Sequence, residues 1–530
     1  MTTTTTTTEH PLTAPPLPDR SPHPLTAAHT KETSMPTDDL PGGPRPRITV
    51  IGTGYLGATH AVCMAQLGFE VLGVDVDAAK IDALVESRLP FHEPGLPEAL
   101  EAALSSGRLR FTTDVAQAAE FGDVHFLCVG TPQQQGSDAA DLRFVEDAAT
   151  ALAARITRPA LIVGKSTVPV GTAARLRGLV RSVSPAGDDL DLAWNPEFLR
   201  EGFAVQDTLH PDRLVFGIAS SRTERALRHV YRPLLEEGVP LIVADLATSE
   251  LVKVAANSFL ATKISYINAM AEVCETVDAD VGVLARALAL DERIGGRFLR
   301  PGLGFGGGCL PKDIRAFRHR AREVGAGAAV RFLEDMDEIN ARRRTRTVEM
   351  VRELAGGSLL GVRVAALGAA FKPNSDDVRD SPALEVSRRM QLEGADVSVY
   401  DPEAGHNARR VHPDLRLAPS LEDAVRGAQV TVLLTEWDEF VTASPERLGQ
   451  LVAARRVLDA RQVLDEERYA EAGWQYRTLG RPVVPAGIVL GGPGSEGAGA
   501  GDGASGHERC GCERCRLAAA PGREVQPIEL

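Results

Sequence analysis

A cysteine, a lysine and an aspartate stand close together in PGLGFGGGCLPKD, residues 301–313: Cys309, Lys312 and Asp313. So many glycines answer no helix or strand requirement; they let backbone amides approach a polar ligand. A thiol beside such a loop and a lysine is expected to have a depressed pKa and to act as a nucleophile. Cys63, Cys128 and Cys274 lack these neighbours and read as small buried apolar side chains. Lys253 and Asn257 are four residues apart, so they share one face of a helix. Spacing alone describes a solvated face, although Leu251, Val254 and Phe259 offer apolar cover for a partly desolvated lysine. WNPEFLREG, residues 194–202, brings Glu197 and Glu201 together after a strand, and that spacing by itself is a surface pattern.

A second constellation is made for phosphates. Gly52-Thr53-Gly54-Tyr55-Leu56-Gly57 follows the strand RITVI and opens a helix. Gly52 permits the tight turn, Gly54 lets the backbone approach a pyrophosphate, and Gly57 allows close helix–strand packing. The helix N-terminus adds amide donors and a positive dipole end. Asp75 ends the next strand about twenty residues on, where a carboxylate accepts hydrogen bonds from ribose hydroxyls and repels an added 2′-phosphate. The combination predicts NAD as cofactor. The bland alternative is a packing turn with Asp75 as a solvated strand-end charge.

These groups need a scaffold. The chain has 530 residues, with 58 Lys and Arg against 72 Asp and Glu, a net charge of −14. At about 150 residues per domain, roughly three domains are expected. An acidic balance argues against a nucleic-acid partner, which needs clustered cations. No run is long and apolar enough to span a membrane, and MTTTTTTTEHPLT lacks the charged and apolar regions of a secretory signal. Seven scattered cysteines form no disulfide framework, so a reducing cytoplasm is expected.

RITVIG, EVLGVD, VHFLCVG and ALIVGKST read as successive buried strands, with ATHAVCMAQLG and DAAKIDALVESR as helices. VRVAALG, ADVSVYD, QVTVLLT and RRVLDAR form a second set. The expected fold class is α/β: two Rossmann-like, doubly wound parallel-sheet units around a long central helix. That helix starts near Asp245, Thr248 or Ser249 as N-cap and runs on as a rod through about residue 290. The expected division is 1–46 a disordered tail, 47–245 an NAD-binding unit, 246–345 a helical middle, 346–490 a second Rossmann-like unit, and 491–530 a flexible tail.

IGTGYLG, CVGTP, KSTVPVGT, WNPEFLREG, PDRLVFG, SELVKVAANSFLATKISYIN, DERIGGRFLRPGLGFGGGCLPKD and GAAFKPNSDDVRDSP, in this order, resemble the UDP-glucose/GDP-mannose dehydrogenase family over about residues 47–480. The resemblance implies NAD-dependent, four-electron oxidation of a sugar-nucleotide alcohol, with UDP-glucose the favoured substrate, by a homodimer built on the long helix. It gives Cys309 the part of nucleophile, places Lys253 and Asn257 at the reacting carbon, and puts Asp313 near the catalytic water. Glu197 becomes an acid/base acting through water. Cofactor contacts implied are Leu56, Asp75, Lys80, Thr131, Thr167, Glu201, Lys312 and Arg379, beside the glycines. Substrate contacts implied are Glu197, Phe198, Leu199, Arg200 and Glu201, Lys253 and Asn257, the loop Phe298, Leu299, Arg300, Pro301 and Gly302, then Gly306 and Lys372. Arg293 and Arg461 fit arginines that approach the nucleotide.

Ala269 follows Asn268 where many members carry Glu, and Leu56 stands where Val is common. Rival readings are a dehydrogenase of another nucleotide sugar (a UDP-N-acetylhexosamine or GDP-mannose) and a non-catalytic nucleotide-sugar sensor. No metal is expected in the ordered body. His507, Cys510, Cys512 and Cys515 in the tail offer four zinc ligands, or else are reactive thiols in a flexible segment.

Overall fold

The structure, a computed structural model, describes residues 44–481. The readings for residues 1–43 and for those beyond 481, including the His507/Cys510/Cys512/Cys515 cluster, lie outside the described residues.

The first unit is an eight-stranded sheet. Its strands are β1 (Ile48–Ile51), β2 (Val71–Val74), β3 (Leu109–Thr112), β4 (Val124–Leu127), β5 (Ala160–Gly164), β6 (Leu190–Trp194), β7 (Leu214–Gly217) and β8 (Leu241–Ala244). Their order is β3-β2-β1-β4-β5-β6-β7-β8. All neighbours are parallel except β6 and β7, which meet antiparallel at Trp194 and Gly217. A wholly parallel sheet was expected, and this one junction departs from it. Every residue of β1, β2, β4, β5 and β6 is buried, because helices cover both faces of the sheet. Val50, Phe126 and Val163 pack on one face, and Ile51, Leu127 and Ile162 on the other.

The second unit is a six-stranded parallel sheet ordered β11-β10-β9-β12-β13-β14. Its strands are β9 (Arg363–Leu367), β10 (Asp396–Tyr400), β11 (Arg416–Leu417), β12 (Val430–Leu433), β13 (Arg456–Asp459) and β14 (Gln475–Thr478). The eight strand segments named from the sequence all contain strands, and the two segments named as helices contain helices. In each sheet the order reverses beside the first strand, at β1/β4 and at β9/β12, which opens a crevice at the strands' carboxyl ends.

Between the sheets runs the helix Leu246–Thr276, 31 residues and so about 46 Å long. Asp245 is its N-cap and accepts a hydrogen bond from the Thr248 amide at 2.8 Å. The expected rod through residue 290 is corrected here. The chain breaks after Thr276, Asp278 turns left-handed at φ 56°, and Asp280 caps a separate helix, Val281–Ala289. An aspartate tolerates that backbone better than most residues, and its neighbour's side chain restarts the helix.

The long helix is not simply amphipathic. Ser249, Glu250, Lys253, Asn257, Ser258, Ser265 and Asn268 are buried, while Leu251, Phe259, Tyr266 and Val273 are exposed. At 100° per residue those four apolar positions fall within about 80° of one another. The inward side therefore mixes these polar groups with Val254, Ala261, Ile267 and Ala271, while an apolar stripe looks out. Of Leu251, Val254 and Phe259, expected to shelter Lys253, only Val254 is buried; Leu251 is exposed, and Phe259 is exposed at the rim of the cavity that Lys253 also lines.

Candidate active site

The glycine run after β1 packs as its spacing requires. A Cβ on Gly57 would sit 1.8 Å from the Gly52 carbonyl oxygen, so the helix Tyr55–Gln66 approaches the strand only with glycine there. Over Gly54, the N-cap, a Cβ would meet nothing within 4 Å, and no side chain caps the helix's first amides. Free amides facing open space are what a pyrophosphate needs. Asp75 is buried at the end of β2; it accepts from the Thr53 amide and from Lys80 Nζ, each at 2.8 Å. Burial opposes its charge, but the bonds from Lys80 and Thr53 outweigh it and hold the carboxyl below its usual range. Gly52, Gly54, Asp75, Lys80, Thr131, Lys312 and Arg379 line one cavity of about 1520 Å³, ample for a dinucleotide. Thr131 donates to the Thr167 carbonyl at 2.8 Å, and both border a small gap of about 20 Å³ beside Lys312 and Asp313. Leu56, expected with the cofactor set, lines a different cavity of about 410 Å³.

That second cavity is bounded by Glu197, Phe198, Leu199, Arg200, Lys253, Asn257 and Phe298. Phe298 holds a left-handed φ of 64°, a costly conformation for a bulky residue. Lys253 is 6% exposed and its Nζ lies 2.8 Å from Glu197 Oε1. Burial works against its charge, but Glu197, with Cys309 and Asp313, more than offsets that and holds Lys253 above the usual lysine range. The solvated-face reading that spacing suggested for Lys253 and Asn257 is thus overturned, and so is the surface reading of Glu197 and Glu201, whose side chains are 13% and 11% exposed.

Cys309 is the N-cap of the helix Leu310–Glu323, which carries Asp313 in its first turn. Asp313 is buried; its Oδ2 accepts from Asn257 Nδ2 at 2.7 Å and its Oδ1 from Lys312 Nζ at 2.5 Å. The sulfur is reachable from solvent, yet protein packs closely around it. That crowding first, then the carboxylates of Asp313 and Glu197, pushes the thiol up to about 12 against the pull of Lys312 and Lys253. The depressed pKa expected from the loop and lysine is corrected accordingly. Spacing along the chain shows the lysine and Asp313 but not the burial, which is the larger cause.

The glycines of 301–313 serve packing as well as the cavity: Gly307 and Gly308 line the large cavity beside Lys312. A Cβ on Gly306 would meet the Asp380 carbonyl at 2.4 Å, and one on Gly308 the Arg379 guanidinium carbon at 2.2 Å. Gly306 and Gly308 thus also admit a segment of the second unit. From that segment Lys372 Nζ donates to the Glu201 carbonyl at 2.6 Å, Ser375 to Glu201 Oε2 at 3.0 Å, and Arg379 lies 3.4 Å from Glu201 Oε1. Burial and the nearby Asp377 push the Glu201 carboxyl up to about 7.

The remaining positions are scattered. Leu299, Pro301 and Gly302 are buried in the loop wall. Arg461 Nε lies 3.3 Å from the buried Glu436, with Arg300 at 3.9 Å from the same carboxylate. Arg293 is not drawn in: it pairs with Asp291 at 2.6 Å with its side chain 89% exposed.

Several supports escaped the sequence reading. Glu93 is buried and accepts from the Gly202 and Ala204 amides, each at 2.7 Å, and from Tyr55, so it clasps the Glu197–Glu201 loop. Asn268 accepts from the Gly302 amide at 2.8 Å, and Asn340 pairs with both backbone groups of Phe305. A lone Glu or Asn carries no spacing signal; only its burial exposes the role. Among the described residues no group of three or more His, Cys, Asp or Glu is arranged to hold a metal ion, and no helix is long and apolar enough to cross a membrane.

Two nucleotide-binding sheets meeting over a cysteine, a lysine and buried carboxylates define an NAD-binding oxidoreductase. The chain belongs to the UDP-glucose/GDP-mannose dehydrogenase family. That family's NAD-binding domain matches residues 46–235, its central domain 247–342 and its UDP-binding domain 365–466. The UDP-glucose 6-dehydrogenase of Rhizobium meliloti (strain 1021) is 41% identical over 438 residues, 82% of this chain and all of that one. A UDP-glucose dehydrogenase structure from Pyrobaculum islandicum superposes with a TM-score of 0.75 at 36% identity, covering 82% of this chain and 99% of that one. A UDP-D-ManNAc dehydrogenase from Pyrococcus horikoshii gives 0.72 at 26% identity, covering 82% and 99%.

Proposed function

We propose that this enzyme oxidises the C6 alcohol of UDP-glucose to the carboxylate of UDP-glucuronate in two NAD-dependent steps, through a thioester on Cys309. The observation that carries the reading is the linked set Glu197–Lys253 and Asn257–Asp313–Lys312 around the Cys309 thiol. The names of the relatives above favour UDP-glucose over the N-acetylated sugars.

When bound, NAD accepts a hydride in each oxidation. Gly52, Gly54, Gly57, Asp75, Lys80, Thr131, Thr167, Lys312 and Arg379 hold it, with Glu201 at its margin, while Leu56 borders the neighbouring sugar cavity. Glu197 takes the C6 hydroxyl proton through a water. Lys253 and Asn257 donate hydrogen bonds to the oxygen as negative charge develops there. Cys309 sulfur adds to the aldehyde carbon, forming a C–S bond and a thiohemiacetal without release of the aldehyde. Its thiol starts neutral; as that bond forms its proton ends on the former aldehyde oxygen, which becomes the thiohemiacetal hydroxyl, with Lys253 and Lys312 the nearby cations that favour the thiolate on the way. After the second oxidation Asp313 orients the water that breaks the C–S bond, giving the carboxylate and the free thiol. Phe198, Leu199, Arg200, Phe298, Leu299, Arg300, Pro301, Gly302, Gly306, Lys372 and Arg461 bind the sugar nucleotide; Arg293, exposed and paired with Asp291, stands outside this set.

Residues 47–245 are the NAD-binding unit and 346–490 the UDP-binding unit, with 246–345 the core of a homodimer. Support for the dimer is the outward apolar stripe Leu251, Phe259, Tyr266 and Val273. A nucleophilic thiol works only when reduced, which fits the cytoplasm.

A panel of UDP-glucose, UDP-N-acetylglucosamine, UDP-N-acetylmannosamine and GDP-mannose, followed by NADH formation, tests the substrate. UDP-glucose alone should turn over well; turnover of an N-acetylated sugar in its place contradicts the reading.

A further inference from the structure

Lys165 follows β5 and is 7% exposed, yet among the described residues no carboxylate forms an ion pair with it. Its Nζ donates to Asn195 Oδ1 at 3.0 Å and to the Tyr231 hydroxyl at 3.3 Å, and lies over the rings of Phe126 and Tyr231. Burial with neutral hydrogen-bond partners disfavours the charged form, so the amine can exist neutral, and groups perturbed in this way cluster at functional sites. Lys165 lines the same 410 Å³ cavity as Glu197 and Lys253. That cavity also touches His60, whose two ring nitrogens are buried without a partner among the described residues.

Two oxidations at one carbon release protons as well as hydrides. In each, the carbon gives a hydride to NAD, and the hydroxyl oxygen attached to it gives up a proton. Glu197 accepts once and must be emptied before it accepts again.

We propose that Lys165 is a proton-relay residue of this reaction: its neutral amine takes, through water in the shared cavity, the proton that Glu197 receives, and passes it on to solvent. This rests on the reading of Glu197 as the acid/base. The N–H bond formed on Lys165 balances the O–H bond lost from Glu197, and no electrons move. The surroundings suit the task. Burial pulls the Lys165 amine down to about 8, with Lys253 adding to the pull and Cys128 and Glu197 opposing it. His60 is held neutral by burial and by Lys165 itself, and burial pushes Cys128 up to about 12, so neither competes for the proton near neutrality. Tyr231 is likewise kept protonated by burial.

The test compares wild type with Lys165→Gln, which keeps polar contacts without a titrating proton, and Lys165→Arg, which keeps the charge but does not give up its proton. Both variants should bind UDP-glucose and NAD within about threefold of wild type by calorimetry. Both should lose roughly a hundredfold in kcat, together with the rise in kcat through about pH 8. Wild-type kcat in Lys165→Arg, or an unchanged pH limb in either variant, overturns the relay. Should neither variant fold, the wild-type limb decides: an amine's pKa falls on warming, and a limb that stays fixed with temperature overturns the proposal. Wild type inert towards UDP-glucose would instead sink the functional reading beneath it.

Discussion

Asn257 and Asp313 are joined by a 2.7 Å hydrogen bond that ties the long helix to the helix capped by Cys309. The same carboxylate is a principal reason that the Cys309 thiol rests neutral. Asp313→Asn keeps a side chain of equal size and removes the charge, so it should lower the thiol pKa. Alkylation by iodoacetamide at pH 8 should then run faster in the variant, while thioester hydrolysis slows. Equal or slower alkylation in Asp313→Asn contradicts the charge assignment.

Glu201 links the two units through Ser375 and Arg379, and its carboxyl is raised to about 7. A carboxyl raised on folding contributes stability that is fully present below its unfolded pKa and lost as pH climbs through the folded one. Between pH 4.5 and 8 the wild type should lose up to roughly 3 kcal/mol relative to Glu201→Gln. Urea unfolding of both proteins across that window measures the gap, and a gap that stays constant rejects the shift.

The apolar stripe on the long helix makes a prediction about assembly. Phe259 is 67% exposed at its centre, and Tyr266 and Val273 continue it at seven-residue spacing. Phe259→Glu places a charge in any helix–helix contact there and should convert dimer to monomer in sedimentation velocity. A variant that remains a dimer moves the interface elsewhere.

Much of the framework was legible in the sequence because buried parallel strands are short unbroken apolar runs, and RITVIG or QVTVLLT can be little else. The G-x-G-x-x-G turn was equally readable, since Gly57 and Gly52 impose a steric rule that no other residue meets. The strand LDLAW was read only as the one preceding NPEFLREG, because an aspartate interrupts its apolar run; Asp191 is paired there with Arg177 at 2.6 Å. The long helix misled for a better reason. Its buried side carries polar groups among its apolar ones and its exposed side carries an apolar stripe, so hydrophobic pattern did not locate the buried face that holds Lys253. Likewise the glycines before Cys309 were read as ligand contacts alone; Gly307 and Gly308 do line the large cavity, but Gly306 and Gly308 also accommodate Arg379 and Asp380 from about seventy residues away. Such contacts depend on long-range packing, which spacing along the chain does not encode.

The central claim is a covalent, two-step oxidation on Cys309. Its most direct measurement is the number of NADH formed per UDP-glucuronate, in wild type and in Cys309→Ser, with bound intermediate followed by intact-protein mass spectrometry. The account predicts two NADH per product in wild type. It predicts a Cys309→Ser protein that binds UDP-glucose but makes almost no UDP-glucuronate. A ratio of one, or full turnover by Cys309→Ser, would contradict it.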